Sequence, residues 1–211
     1  MISNILSDIK RENFKAIAKD LMNHYCVLKH DSRYESDLIF RFVEIEFYLY
    51  DASEQDVDVK TYSRDCKCGE WFFHSSGVDI AFETMREGDE LIRFGGILIR
   101  GVEIYKQTED GQWVQIGVVG GPKLSMYEMF NYTSGMPEIV AIPESFATDR
   151  KLGDPTKRVG IGDNLEQRYV LEGVNWEMPT ERVVERKEKD REVYHVMLEK
   201  VSRKYNPKVE L

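Results

Sequence analysis

The chain has 211 residues, of which 42% are apolar and 32% are charged, and its formal net charge is −9. This length and apolar content suffice for a real core, so we expect a single domain over residues 1–211. The negative charge argues against a protein whose whole surface attracts nucleic-acid phosphates. No apolar run approaches the roughly 20 residues of a membrane-spanning helix, and the N-terminus has charges where a signal peptide is apolar. We therefore expect a cytoplasmic protein without a membrane partner.

Residues 1–25 predict a helix, because apolar residues recur at roughly helical spacing between charged ones. The recurring apolar residues are Ile9, Phe14, Ile17, Ala18 and Leu21. A short strand at residues 25–29 and the polar turn HDSRYESD then lead into a longer strand, as in a hairpin.

The longer strand is LIFRFVEIEFYLY, residues 38–50, and we expect the functional site to lie on it. Because side chains alternate along a strand, its two faces differ. The predicted core face has Ile39, Val43, Ile45, Phe47 and Leu49, interrupted by Arg41. The other face has Leu38, Phe40 and Phe42, followed by Glu44, Glu46, Tyr48 and Tyr50.

Residues 51–65 are acidic and without a clear period, which predicts a loop, and such loops often lie beside sites. Residues 71–82, WFFHSSGVDIAF, predict a strand, but the Ser-Ser-Gly that ends at Gly77 indicates a bulge or a close backbone approach. Strict alternation places His74 and Asp79 on opposite faces, whereas a one-residue bulge places them on the same face. Both registers stay open.

Residues 95–105 predict another strand, and Asp110 with Gly111 favours a tight hairpin turn into residues 113–119. A short helix is predicted directly after Pro122. Further strands are predicted at residues 138–142 and 167–171.

A last helix is predicted over about 180–205, with Thr180 as its N-cap. Residues 181–208 have nine basic and six acidic side chains, which makes a local basic patch possible on an acidic chain. Strands paired by short turns, with N- and C-terminal helices, indicate an α+β fold on a largely antiparallel, twisted or barrel-like sheet.

Two carboxylates on the long strand are candidate chemical groups. Glu44 and Glu46 are two residues apart, so they point the same way about 7 Å apart, and one charge influences the other. A carboxylate against aromatic walls has a raised proton affinity, which suits it to taking a proton from water or a substrate. The alternatives are an exposed edge strand, or two acids that each pair with an arginine.

Arg100 lies within the apolar segment ILIRGVEI, so its burial requires an acidic partner or an anionic ligand. Glu46 or Glu44 fits as that partner. A guanidinium beside a carboxylate would also help to hold a water or a phosphate oxygen. His74 fits a ligand contact or, alternatively, a packing position on an aromatic strand.

Metal and cofactor signals are weak in this sequence. Three cysteines are expected to be reduced thiols: Cys26, Cys66 and Cys68. The C-x-C pair lacks the usual zinc spacing and a second ligand pair. The sequence has no phosphate-binding glycine loop, nucleophile elbow or dinucleotide fingerprint. We expect no metal and no cofactor, although four donors could in principle hold a divalent ion: Glu44, Glu46, His74 and Asp79.

Several segments match a known pattern in their order along the chain: AIAKDLMNHYCVLK, RFVEIEFYLY, GGILIRGVEI, GGPKLSMYEMF and KRVGIGDNLEQRYVLEG. The first of these segments resembles the entry helix and first strand of the alkyladenine (methylpurine) DNA glycosylases, and RFVEIEFYLY resembles the V-E-x-E-A-Y motif of that family. GGILIRGVEI is similar to the family's L-L-R-A-x-E strand. GGPKLSMYEMF resembles its G-P-x-K-L-x-x-A segment, and the last segment resembles its closing R-V-G/I stretch. This family excises alkylated purines. The resemblance covers residues 15–175.

The resemblance implies a role for individual residues. Glu46 matches the catalytic glutamate that activates water for attack on the sugar C1′, and Arg100 matches the arginine near that water. Tyr48 matches the tyrosine that stacks on the extruded base, and His74 takes the place of a second stacking tyrosine. The substrate-binding set is therefore Tyr48, His74, Glu44 and Asp79.

The chain also departs from the family pattern. The tyrosine that the family inserts into the duplex falls near Ser76, and a serine cannot fill the vacated stack. Residues 51–73 contain no counterpart of the pocket histidine, and Thr61 lies nearest. The family asparagine falls near Glu83, whose carboxylate would repel phosphates.

Three functions remain open on the sequence. The first is a monofunctional base-excision glycosylase that acts on damaged DNA. The second is a non-catalytic binder of a purine base, a nucleoside or another small planar ligand in the same pocket. The third is an interaction module whose charged C-terminal helix docks a partner.

Overall fold

The computed structural model describes residues 2–6, 9–55, 57–133, 135–146 and 149–177. Within these ranges the chain forms two α-helices and one nine-stranded antiparallel sheet, which confirms the α+β class. The described sheet is open, so the barrel-like form that we considered does not close into a barrel. The predicted helix at about 180–205 lies outside the described residues.

The helices are α1 (Phe14–His24) and α2 (Pro122–Phe130). The strands are β1 (Tyr25–Asp31), β2 (Ser36–Asp51), β3 (Trp71–His74), β4 (Gly77–Ala81), β5 (Met85–Glu87), β6 (Glu90–Gln107), β7 (Trp113–Gly120), β8 (Glu138–Ala141) and β9 (Arg168–Val170). Short 3-10 turns at Ile2–Asn4 and Arg11–Asn13 precede α1, so this helix begins later than the sequence predicted.

The long strands β2 and β6 form the centre of the sheet and pair along most of their length. The other edge of β2 pairs with β1 and β9, and the other edge of β6 pairs with β4, β5 and β7. The predicted hairpin of β6 and β7 is confirmed, and Gly111 adopts a φ of +80° in its turn. This backbone angle is accessible to glycine at little cost.

An irregularity in β2 changes which side chains face the core. The register between β2 and β6 shifts between Phe42 and Glu44. Strict alternation predicted that Phe42 and Val43 face opposite sides of the sheet, and this prediction was wrong. An extra residue on one strand turns the following side chains to the other face. The core cluster therefore takes residues from both predicted faces: Leu38, Phe40 and Phe42 together with Val43, Ile45, Phe47 and Leu49. Ile39 is buried outside this cluster.

The predicted single strand at residues 71–82 is instead the hairpin of β3 and β4, in which His74 pairs with Gly77. The close backbone approach at Gly77 is confirmed. A Cβ on Gly77 would lie 2.9 Å from the Cβ of Pro122, and the residue has a φ of +153°. Glycine at this position therefore allows the start of α2 to pack on the hairpin.

Aromatic contacts hold the helices on the sheet. The ring of Phe14 in α1 stacks on Phe47 of β2 at 4.3 Å between centroids, and Phe130 of α2 meets Phe73 of β3 edge-on at 4.8 Å. These rings pack on one face of the sheet, and Glu46, which is adjacent to Phe47 along β2, points to the other face. No helix in the described part of the chain is long and apolar enough to cross a membrane.

Candidate functional site

The candidate site lies on the face of the sheet that carries Glu46 and Asp79, and the start of α2 reaches the edge of this face at Gly77 and Leu98. Glu46 and Asp79 pair with Leu98 from opposite sides, so the three side chains point to the same face. The spacing of neighbouring strands places the Cα atoms of Glu46 and Asp79 about 10 Å apart. Two loops, residues 57–65 and 156–167, supply the side chains that cover this face.

Glu46 is completely buried and has hydrogen-bond donors on both carboxylate oxygens. Its Oε2 accepts from the Tyr48 hydroxyl at 2.9 Å and from Nη1 of Arg100 at 3.3 Å. Its Oε1 accepts the backbone N–H of Val159 at 2.8 Å. The expected aromatic walls are thus replaced by a phenol, a guanidinium and an amide, all of which orient the carboxylate.

Glu44 joins two arginines beside this carboxylate. Its Oε1 accepts from Nε of Arg100 at 2.9 Å and from Nε of Arg168 at 2.7 Å. The sequence left open whether Arg100 pairs with Glu44 or Glu46, and the structure shows that it contacts both. Arg168 was missed, although its place on a predicted strand next to the closing R-V-G stretch was the available signal.

The Tyr48 ring is covered by Arg158, a second residue that the sequence reasoning missed. The guanidinium carbon of Arg158 lies 4.5 Å from the ring centroid. Asp58 binds the same guanidinium at 2.5 and 3.1 Å, and Asp163 also pairs with it. This ion pair connects the two covering loops, because Asp58 and Arg158 lie one on each.

Burial beneath the two loops changes the pKa values of Tyr48 and Asp58. Burial is the largest cause that raises the pKa of the Tyr48 hydroxyl well above its usual value, and the neighbouring Glu46 adds to it. Burial also disfavours the charged Asp58 carboxylate, but the hydrogen bonds and charge of Arg158 outweigh it and lower the pKa of Asp58. Tyr48 therefore stays a neutral phenol and Asp58 a carboxylate.

His74 and Asp79 form a second group, which settles the open question of their faces. Nε2 of His74 lies 3.0 Å from Oδ1 of Asp79, and Nη1 of Arg64 donates to Oδ2 at 2.5 Å. The backbone N–H of Ser76 points at Nδ1 of His74, so a neutral ring carries its proton on Nε2. Although burial opposes it, the contacts to His74 and Arg64 lower the pKa of Asp79 to about 2.

Tyr62 lies beside the turn between β3 and β4. Its ring centroid is 4.8 Å from that of His74, and its hydroxyl is 3.4 Å from Oγ of Ser76. The side chain remains exposed, with 47% of its surface accessible. The hydrogen bonds to Ser76 and Ser75 lower the pKa of Tyr62. The structure therefore places an exposed tyrosine next to Ser76.

The structure thus brings the predicted residues together in two groups. Glu44, Glu46, Tyr48 and Arg100 form one group, and His74 with Asp79 forms the other. Arg64 lies between the groups, because a Cβ on Gly96, the cross-strand partner of Tyr48, would meet its Nη1 at 2.8 Å. The Tyr48 and His74 rings are therefore not preformed as a purine sandwich.

Metal-binding geometry is not assembled in the described ranges. No three His, Cys, Asp or Glu side chains come together there as a metal ion requires, and the three cysteines are free thiols. Glu44 and Glu46 have arginine partners, and His74 binds Asp79 instead of joining them. An open depression of about 950 Å³ occurs elsewhere, between Tyr34 and Val114, and includes none of the site residues.

No protein-family model matches the chain, and none of the curated proteins matches its sequence.

Proposed function

We propose that the protein hydrolyses the N-glycosidic bond of a damaged or alkylated purine in DNA, with Glu46 as the base that activates water. The observation that carries this proposal is the set of donors around Glu46. Arg100 and Tyr48 bind one oxygen and the Val159 amide binds the other, so the carboxylate is held in one orientation. Positioning of this kind is a requirement for general base catalysis.

In this mechanism Glu46 takes a proton from water while the water oxygen attacks C1′ of the sugar. The C1′–N bond breaks, and its electron pair leaves with the purine. A cationic alkylated purine leaves as the neutral base, whereas a neutral purine such as hypoxanthine takes up a proton from solvent, and Glu46 then releases its proton to solvent. Arg100 fixes the carboxylate through Nη1, and its third guanidinium nitrogen, Nη2, makes no hydrogen bond within the described residues and is available for the water. The reaction requires no covalent intermediate and no cofactor.

Access of the base requires a rearrangement. Glu46 is fully buried, and the Arg158 guanidinium covers Tyr48. A base stacks on that ring only after Arg158 has moved. Gly160 and Gly162 both adopt a φ of +75° directly after Arg158, which gives this loop backbone conformations that other residues rarely adopt. In this proposal the loop around Arg158 is the part that must move.

An exposed Tyr62 supports the engagement of a duplex. Inserting an aromatic ring between base pairs compensates part of the stacking lost when a nucleotide is extruded. Tyr62 projects beside the β3–β4 turn and is held there by His74 and Ser76. It supplies the ring that Ser76 lacks.

A second candidate function is a binder of a purine base, a nucleoside or another planar ligand without catalysis. The buried position of Glu46 and the net charge of −9 favour this alternative, because both disfavour close approach of a DNA backbone. Thermal-shift measurements with nucleosides and a DNA control separate the two functions. A glycosylase shows salt-sensitive DNA affinity, whereas the binder is stabilised by free nucleosides.

The direct test is base release from alkylated and hypoxanthine-containing oligonucleotides by wild type and Glu46→Gln. We expect release by wild type and a loss of about 10²–10⁴-fold in the variant, because the amide cannot accept the proton. Glu103→Gln is the matched control. Glu103 is also buried and bonded to a tyrosine, Tyr105, and an arginine, Arg150, but it lies outside the site. Absent release in wild type, or equal release by Glu46→Gln, contradicts the mechanism.

A further inference from the structure

Trp176 lies at the rim of the site on a platform of two glycines. A Cβ on Gly101 would lie 2.7 Å from Cη2 of the indole, and a Cβ on Gly120 would lie 3.3 Å from its Cζ3. The absence of a side chain at Gly101 therefore lets the ring pack directly against β6 and β7. Despite this packing, 43% of the Trp176 surface stays accessible.

The two arginines that share Glu44 each have a guanidinium nitrogen without a hydrogen bond within the described residues. Arg100 and Arg168 both direct Nε at the same oxygen of Glu44. Arg100 uses Nη1 for Glu46, and Arg168 uses Nη1 for the Thr156 hydroxyl. Within the described residues, Nη2 of each arginine makes no hydrogen bond, and 28% of the Arg168 side chain is exposed. Such groups bind phosphate oxygens well.

Glu44 links the indole to the two arginines. The position of a Cβ on Gly101 is 2.7 Å from the indole and 3.0 Å from Cβ of Glu44, which joins the two guanidinium groups. A ring for stacking and N–H donors for an anion therefore both lie around Glu44. No residue assigned to catalysis supplies the stacking face.

We infer that Trp176 and Arg168 form a binding site for a nucleotide of single-stranded nucleic acid, whose base stacks on the indole and whose phosphate meets Arg168. Stacking on an aromatic side chain tolerates every base and is strong per nucleotide. A base within a duplex has both faces covered, so the indole selects unpaired strands. This inference rests on the proposed function in one respect: the ligand that combines a planar group with an anion is taken to be a nucleic acid.

Tryptophan fluorescence tests the stacking contact. Oligo(dT) is titrated at low salt into wild type, Trp176→Phe and Trp113→Phe, while binding is followed independently by the anisotropy of a labelled oligonucleotide. We expect quenching in wild type and in Trp113→Phe, the control for a partly buried indole at the far end of β7. Quenching is lost in Trp176→Phe, and Trp176→Ala weakens binding by about tenfold.

The phosphate contact has its own test. Arg168→Gln is expected to reduce the slope of log affinity against log salt by about 0.7, because one phosphate contact to a single strand is lost. Circular dichroism melting of each variant verifies that the fold is retained. Unquenched wild-type emission at saturating oligo(dT), absent binding, or equal affinity of folded Trp176→Ala overturns the inference.

Base release is measured on the same proteins to separate the two proposals. Trp176-dependent binding without base release contradicts the glycosylase and supports the nucleotide site. Base release that is unaffected by Trp176→Ala, together with unchanged oligo(dT) binding, supports the glycosylase and overturns the nucleotide site.

Discussion

Asp79→Asn is the substitution whose consequences the structure defines best. Asp79 is 1% exposed, and its two oxygens contact Arg64 at 2.5 Å and His74 at 3.0 Å. Asparagine keeps the shape but not the charge, so the buried guanidinium of Arg64 loses its counterion. Removing one partner of a buried ion pair costs about 3–5 kcal/mol. We expect the free energy of unfolding to fall by that amount near neutral pH.

The pH dependence of unfolding gives a second, independent magnitude for the contribution of Asp79 to stability. The folded-state pKa of Asp79 is about 2 against an ordinary 3.8, so the depressed pKa contributes about 2 kcal/mol of stability. The folded pKa lies below the unfolded one, so this contribution is complete above the unfolded pKa. It is lost as the pH falls from about 4 to about 2. The difference between wild type and Asp79→Asn should therefore shrink by about 2 kcal/mol over this range.

Urea unfolding near neutral pH and at about pH 3, where about half of this loss, about 1 kcal/mol, is expected, measures both effects. Asp65→Asn is the matched control, because Asp65 pairs with Arg86 at 2.7 Å but the two side chains are 64% and 42% exposed. The control should change little at either pH. The reasoning is refuted if Asp79→Asn costs no more than the control, or if its cost is the same at both pH values.

Three further substitutions or probes test other parts of the structure. Arg158→Ala should lower the free energy of unfolding by about 3–5 kcal/mol in urea titrations, because Asp58 is left buried without its counterion; an unchanged midpoint contradicts this. Gly77→Ala should cost at least about 1 kcal/mol for its strained backbone and close contact, whereas Gly135→Ala, with nothing nearby, should be neutral. Burial raises the pKa of Cys26 to about 12, so this thiol should react with a maleimide only after unfolding, as peptide mapping of labelled protein will show.

Local patterns were sufficient for much of the fold. Asp110 and Gly111 specify the β6–β7 turn, and the proline at the start of α2 places that helix within a residue. Each of these signals depends on the backbone preferences of a few adjacent residues. The common direction of Glu44 and Glu46 also followed from strand geometry alone.

Long-range contacts decided the composition of the site. The sequence singled out Arg100 and paired it with the two glutamates, whereas Arg158 appeared only as the arginine of the closing R-V-G stretch and was given no role. Asp58 and Arg158 are separated by 100 residues, so no local pattern relates them. Their ion pair exists only because both loops fold over the same face of the sheet.

The sequence by itself determined the α+β class and the strand with two carboxylates, because alternation and turn preferences are properties of neighbouring residues. Only the tertiary structure decided that Arg158 covers Tyr48, that Arg64 separates the two groups of site residues, and that the indole of Trp176 lies on Gly101. The physical reason is burial. A buried charge or ring requires a partner within contact distance. Which residue becomes that partner depends on the packing of the whole sheet.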